Sequence, residues 1–407
     1  MNVLFVHQNF PGQFRHVAAH LAGRPEHQVA AIGSATARDM PRVRLLRYSF
    51  SVPNLRAVHP FARRFEIECR RAEQVIYAAS ELAASGFVPD VVMVHCGWGE
   101  SLPLRPLFPA ARIVTYCEFY YRPDGLDVGF DREWEDPALD AVVALRARNA
   151  ATLLAMAEAD LCVTPTAFQR NTFPAPLRPL MTVCHEGVDV DAVRPDPGAT
   201  FALPGGGLLR AGDEVVTFVA RNLEPLRGYH VFMRALPQIL RERPGAKILV
   251  VGGDGVSYGA SAPEGRNWRD IFLDEVRDAI EPGRVFFLGR LAYADYLKVL
   301  QVSAAHVYLT YPFVLSWSML EAMAAGCLVI GSATGPVEEV IDGANGLLVD
   351  FFDVPALAGA VVEALARPAA FAAHRRRARE TVASRYALAA CRARLLDLLV
   401  AGGPAAG

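Results

Sequence analysis

Arg221 and Arg227 stand six residues apart in ARNLEPLRG, directly after the apolar run Val215–Ala220. Around a helix start, two fixed positive charges and the helix dipole act in the same direction, which suits a diphosphate. Spacing alone fits a pair of surface arginines equally well. Further on, Ser316-Trp317-Ser318 forms a polar turn before a helical pattern that stops at Gly326. Amides in such a turn can meet phosphate. Glu321 lies about one turn into that helix, as an ordinary dipole partner or as an acceptor of ligand hydroxyls. In the first half, His95 follows the run Val91–Val94 and is trailed by Gly97 and Gly99. A histidine at a strand tip can hydrogen-bond a ligand or move a proton, although most such residues are structural. Gly12, in HQNFPGQF after Val3–Val6, allows close backbone approach to an anion, and a plain tight turn accounts for it equally. The turn is not G-x-G-x-x-G, which disfavours a nicotinamide cofactor.

These residues all follow short apolar runs, and the runs are the elements that must hold them. Val3–Val6, Gln28–Ile32, Val91–Val94, Ile113–Tyr116, Leu161–Thr164 and Met181–Cys184 read as buried strands of one series. Val215–Ala220, Lys247–Val251, Val285–Leu288, His306–Leu309 and Leu328–Ile330 form a second. Continuous apolar runs separated by helical patterns mark parallel sheets covered on both faces. Phe232, Ala235, Leu236, Ile239 and Leu240 keep helical spacing, with Pro237 expected to kink the helix. The expectation is an α/β chain of two doubly wound domains, binding ligands beyond the carboxyl ends of their strands and facing across a cleft. The Pro/Gly-rich stretch from Arg194 to Gly207 places the domains at 1–195 and 211–384, joined by a linker at 196–210. A C-terminal helix over 385–407 is left to pack back on the first domain. The basic patch Arg375, Arg376, Arg377 and Arg379 reads as a solvated helix face, and the tail AGGPAAG is expected to fray.

Composition narrows the classes. The 407 residues exceed one ordinary core, and 52% hydrophobic with 21% charged residues argues for a folded chain. Lys+Arg 41 against Asp+Glu 43 gives a formal charge of -2, so there is no global basic field for nucleic acid. No window approaches the roughly 20 apolar residues of a membrane span, and the N-terminus does not read as a signal peptide. The 7 cysteines are scattered without a C-x-x-C pair, which points to reduced thiols and the cytoplasm. Contact with the inner face of a membrane and the oligomeric state stay open.

The segments ARNLEPLRGYHVFMRALPQIL and SWSMLEAMAAGCLVIGSATGPVEEVIDGANGLLV resemble the donor half of family-4 glycosyltransferases, which have the GT-B fold of two Rossmann-like domains. FVHQNFPGQFRHVAAHL, PDVVMVHCGWGESLPL and CHEGVDVDAVRP resemble the N-terminal half of one branch of that family. The resemblance implies a retaining transferase that moves a sugar from a nucleoside diphosphate sugar to a glycan, lipid-linked glycan or small-molecule acceptor. By position, Arg221 and Arg227 match the cationic pair on the donor diphosphate. Glu321 matches the second glutamate of E-x7-E, on the nucleotide ribose. Ser316, Trp317 and Ser318 match the turn at phosphate and sugar, and Gly289, Arg290 and Leu291 the loop around the base. Gly12 matches the turn facing the diphosphate, and His95 a histidine near the transferred sugar.

Three positions depart from the family pattern. Phe313 stands where the first glutamate of E-x7-E belongs, Arg227 replaces a lysine, and Glu186 replaces the asparagine of N-G-V-D. No Asp-x-Asp falls at an expected cleft position, so cationic side chains are expected to take the place of a metal, with no cofactor. The acceptor pocket is assigned to Glu118, Tyr120, Tyr121 and Asp124, after the Ile113–Tyr116 strand. A nucleotide-sugar epimerase of the same architecture, or a nucleotide-sugar-binding subunit without turnover, would share many of these features.

Overall fold

Alternating burial within the first strand shows why its residues are nearly all apolar. In the computed structural model, which describes residues 1–134 and 138–400, β1 (Asn2–Val6) sends Val3 and Phe5 into one core. Leu4 and Val6 enter the core on the opposite face. A strand covered on both faces cannot alternate apolar with polar. The tail 401–407 lies outside the described residues.

The first unit comprises Met1–Gly187 and the C-terminal segment from Ala389. Its strands are β1, β2 (Gln28–Ser34), β3 (Val43–Tyr48), β4 (Val91–His95), β5 (Arg112–Tyr116), β6 (Leu161–Thr164) and β7 (Met181–Val183). They lie in the order β3-β2-β1-β4-β5-β6-β7, and every pairing is parallel. The strand order reverses between β1 and β4, which makes their carboxyl ends the topological switch point. His7 and His95 stand there, the one following β1 and the other ending β4. The C-terminal helix Leu388–Val400 inserts Leu395 and Leu399 among Val3, Phe5 and Val17. The chain thus returns to the first sheet for its final element.

The second unit, Val188–Leu388, begins earlier than the linker expected at 196–210. That stretch is instead an antiparallel hairpin, β8 (Thr200–Ala202) with β9 (Leu208–Arg210), turning through Pro204–Gly207. Phe201 and Leu209 pack against Val215, Leu249 and Val251. Pro and Gly mark tight turns as readily as linkers, and here one apolar residue per strand anchors the hairpin. The sheet that follows has β10 (Val215–Asn222), β11 (Lys247–Gly253), β12 (Val285–Gly289), β13 (Ala305–Tyr308), β14 (Leu328–Ser332) and β15 (Leu347–Val349). Its order is β12-β11-β10-β13-β14-β15, again wholly parallel, with the switch point between β10 and β13. The helix Tyr229–Glu242 runs on through Pro237 and buries Phe232, Leu236 and Ile239.

The basic patch is only partly a solvated face. Arg375 donates to the Ala304 carbonyl, and Arg379 to those of Val190, Val193 and Ala324. Both therefore tie the helix Ala372–Arg385 to its own unit. No single helix among the described residues is long and apolar enough to cross a membrane.

Candidate active site

In the second unit, β10 ends at Arg221 and Asn222, and the short turn Pro225–Arg227 leads into the helix Tyr229–Glu242. Gly228 makes this entry feasible. Its φ is +67°, and a Cβ there would lie 2.3 Å from Leu309 Cβ. Arg227 is thereby held over the end of β13. Its Nη1 donates to Thr310 Oγ1 at 2.9 Å, the Val314 carbonyl at 3.0 Å and Tyr308 Oη at 3.3 Å. Arg221 is exposed at the same edge. Arg290, beyond β12, donates to Asn222 Oδ1 at 3.0 Å, so the loop Gly289–Leu291 is fastened to the end of β10.

Ser316 caps the helix Trp317–Ala324, as its place in the sequence predicts. The expectation that the turn's amides are open to phosphate needs correction. The Ser316 N–H donates to Tyr308 Oη at 2.8 Å, and the Ser318 N–H is turned to Ser316 Oγ at 3.4 Å. Tyr308, which sequence reasoning missed, thus links the cap to Arg227. Glu321 is also engaged, since Tyr293 donates to its Oε1 at 2.8 Å and Tyr296 to its Oε2 at 2.7 Å. Burial, then the adjacent carboxylate, pushes the Tyr296 phenol well above its ordinary range.

Phe313 is buried, 1% exposed, with its ring 4.9 Å from that of Tyr258. Tyr258 belongs to a loop hung on Glu224, a buried carboxylate that accepts from the amides of Ser257, Tyr258 and Gly259. Its mark in the sequence is the glutamate inside the ARNLEPLRG motif.

In the first unit, four side chains join at the switch point. The Asn9 amide donates to His7 Nδ1, leaving Nε2–H to face Gln13 Oε1 at 2.8 Å. Gln13 Nε2 donates to Glu118 Oε1 at 2.7 Å, and His95 Nε2 lies 3.5 Å from Glu118 Oε2. The Gly97 amide donates to His95 Nδ1, which fixes the Nε2–H tautomer of the neutral ring. Burial, with the neighbouring His95 charge second, holds His7 down at about 3. Burial also opposes charge on His95, but Glu118 more than offsets it, so His95 titrates above the ordinary imidazole value. Glu118 is held below the usual carboxylate range: burial opposes its charge, and donors from His95 and Gln13 outweigh that cost.

This geometry reorders the expected roles. His95 is buried, with Nδ1 bonded to the Gly97 amide and Nε2 approaching Glu118 no closer than 3.5 Å, whereas 12% of the Glu118 side chain is exposed. Gly12, at φ +44°, has an account that needs no anion, because a Cβ there would lie 2.7 Å from His7 Nε2. The other acceptor candidates are more dispersed. The Tyr121 ring is covered by the Arg148 guanidinium at 3.7 Å, the Tyr120 ring packs near Phe173, and Asp124 is exposed. Glu186 is buried and accepts from the Tyr116 hydroxyl, a structural use of the residue that departs from N-G-V-D.

Comparison with known proteins defines the class. Residues 25–193 match the family described as Glycosyl transferase family 4 group, and residues 213–367 match Glycosyl transferases group 1. Together the two matches span well over half of the sequence, and the chain belongs to the family-4 glycosyltransferases with the GT-B fold. It is 26% identical over 277 residues to a GDP-mannose-dependent alpha-(1-6)-phosphatidylinositol monomannoside mannosyltransferase of Mycolicibacterium smegmatis, covering 67% of each chain. It is 32% identical over 211 residues to the D-inositol 3-phosphate glycosyltransferase of Streptomyces avermitilis, covering 46% of this chain and 43% of that relative. The match therefore spans less than half of that second protein. Among solved structures, sucrose-phosphate synthase from Thermosynechococcus elongatus superposes with a TM-score of 0.70 at 20% identity, over 98% of both chains. Anabaena HepE in complex with UDP and glucose gives 0.66 at 16% identity, over 98% of this chain and 100% of the other. Likenesses at that identity speak for the fold.

Proposed function

We propose that this chain transfers a hexose, with retention, from a nucleoside diphosphate sugar to a hydroxyl of a glycan, lipid-linked glycan or small polyol. The anchored Arg227 carries the reading. Breaking the glycosidic bond leaves negative charge on the diphosphate, and a guanidinium already fixed by three oxygens stabilises that charge without reorganising. Arg221 adds a second positive charge from the end of β10. Glu321 takes the ribose hydroxyls, and Gly289–Leu291 borders the base. Cationic side chains stand in for a metal, and no cofactor takes part. In the first unit, Glu118 accepts a substrate hydroxyl, with His95 and Gln13 as positioning residues.

The relatives' names supply the donor and acceptor types worth testing, namely GDP-mannose and inositol-bearing acceptors. Retention is supported by the family resemblance. The test is incubation of the purified chain with UDP- and GDP-hexoses and a panel of acceptors, read by mass spectrometry, with the new linkage assigned by NMR. A glycosylated acceptor with the donor's anomeric configuration is the expected product. Rearranged free sugar without acceptor would instead mark an epimerase, and donor binding with no turnover a binding subunit.

A further inference from the structure

Tyr293 and Tyr296 are three residues apart on the helix Tyr293–Gln301, so both project from one face. Each donates its hydroxyl to a different oxygen of Glu321, at 2.8 Å and 2.7 Å. Two hydroxyls on the two oxygens of one carboxylate reproduce the hydrogen-bond pattern of a vicinal diol. The two phenols differ in setting. Tyr293 is 47% exposed, whereas Tyr296 packs against the core around Leu320 and Met323.

We propose that Tyr293 is a displaceable stand-in for a ribose hydroxyl and that Tyr296 is the permanent positioning residue of Glu321. This rests on the reading of Glu321 as the ribose acceptor. Without nucleotide, the pair keeps the carboxylate oriented and its lone pairs satisfied. On binding, a ribose hydroxyl takes the place of the Tyr293 hydroxyl at Oε1, and the exposed phenol turns to water. Tyr296 keeps its bond to Oε2, so the carboxylate is not released. Every nucleotide must therefore compete with Tyr293, and the tyrosine sets the affinity below what Glu321 alone could give.

Calorimetry of the full chain with UDP and with GDP tests this. Tyr293→Phe removes the competitor, and binding of whichever nucleotide the wild type holds should tighten about threefold to tenfold, the worth of one ordinary hydrogen bond. Tyr296→Phe should weaken it by a similar factor. In a Glu321→Ala background, Tyr293→Phe should give no gain, because the gain passes through that carboxylate. A folded Tyr293→Phe variant with unchanged or weaker affinity overturns the inference, as does an equal gain without Glu321. If the wild type binds neither nucleotide, the underlying reading of the donor site fails instead.

Discussion

Phe313→Glu restores the family's first glutamate and asks whether the position faces the sugar or the core. The structure favours the core, with the ring 1% exposed and 4.9 Å from Tyr258. Losing that phenyl from a packed site costs about 3 kcal/mol, within the range for large-to-small core changes. An ionised carboxylate in its place costs several kcal/mol more, which protonation can relieve. The sum, about 4–7 kcal/mol, approaches the whole stability of an ordinary domain. The introduced carboxyl would have a native pKa above its unfolded value of about 4.3, so the folded variant binds more protons. The deficit should accordingly be smallest near pH 5 and grow as pH rises toward 8. Urea unfolding of variant and wild type at both pH values measures it. A variant within about 1 kcal/mol of wild type at pH 8, with altered relative kcat/KM among donor sugars, would refute the packing argument and put position 313 in the sugar site.

Arg227→Ala and Arg221→Ala should each lower turnover at least about 100-fold, the scale for losing one donor to a developing anion; near-normal kcat in both would remove the diphosphate role. Activity should survive EDTA, and loss on chelation with recovery on adding Mg2+ or Mn2+ would reveal a metal requirement. Burial raises Glu100 to about 7, although Tyr48 and the Gln8 amide donate to it. The folded chain thus holds a proton there between about 4.5 and about 7 that the unfolded chain releases. Stability should fall as pH rises through that window, by at most about 3 kcal/mol. Glu100→Gln should flatten this dependence, and identical pH–stability curves for the two proteins would count against a neutral buried Glu100.

Most of the strands that sequence reading located are buried on both faces, because continuous apolar runs have few other uses in a folded chain; the edge strand β12 is only partly buried. The omissions have physical causes. In β3, an edge strand, Arg44 and Arg47 are exposed among buried Leu46 and Tyr48, so no apolar run exists to find. Only three residues form β15, directly after the Gly343–Gly346 turn. The hairpin at 196–210 was hidden by its own turn residues, whose composition is also that of a linker. The true boundary at Gly187 has no compositional mark.

The motifs locate Arg227 after β10, His95 at the end of β4 and Glu321 in the helix Trp317–Ala324, and the structure has them in those elements. Their partners were not legible, because each comes from tertiary contact: Tyr308 to Ser316, Tyr296 to Glu321, Glu118 to His95. Those partners change what the motif residues can do, and Arg227 is the clearest instance. A lysine there would offer a single nitrogen. Tyr308, Thr310 and Val314 would compete with the ligand for it. The guanidinium divides the work: among the described residues these three anchors all use Nη1, which leaves Nη2 and Nε for the diphosphate contact proposed above. The departure from lysine is therefore coupled to the anchor. Arg227→Lys should keep the charge yet lose much of the turnover, whereas Thr310→Val should loosen the anchor and harm the wild type more than the lysine variant. Equal losses from Thr310→Val in both backgrounds would show that the arginine and its anchor act independently.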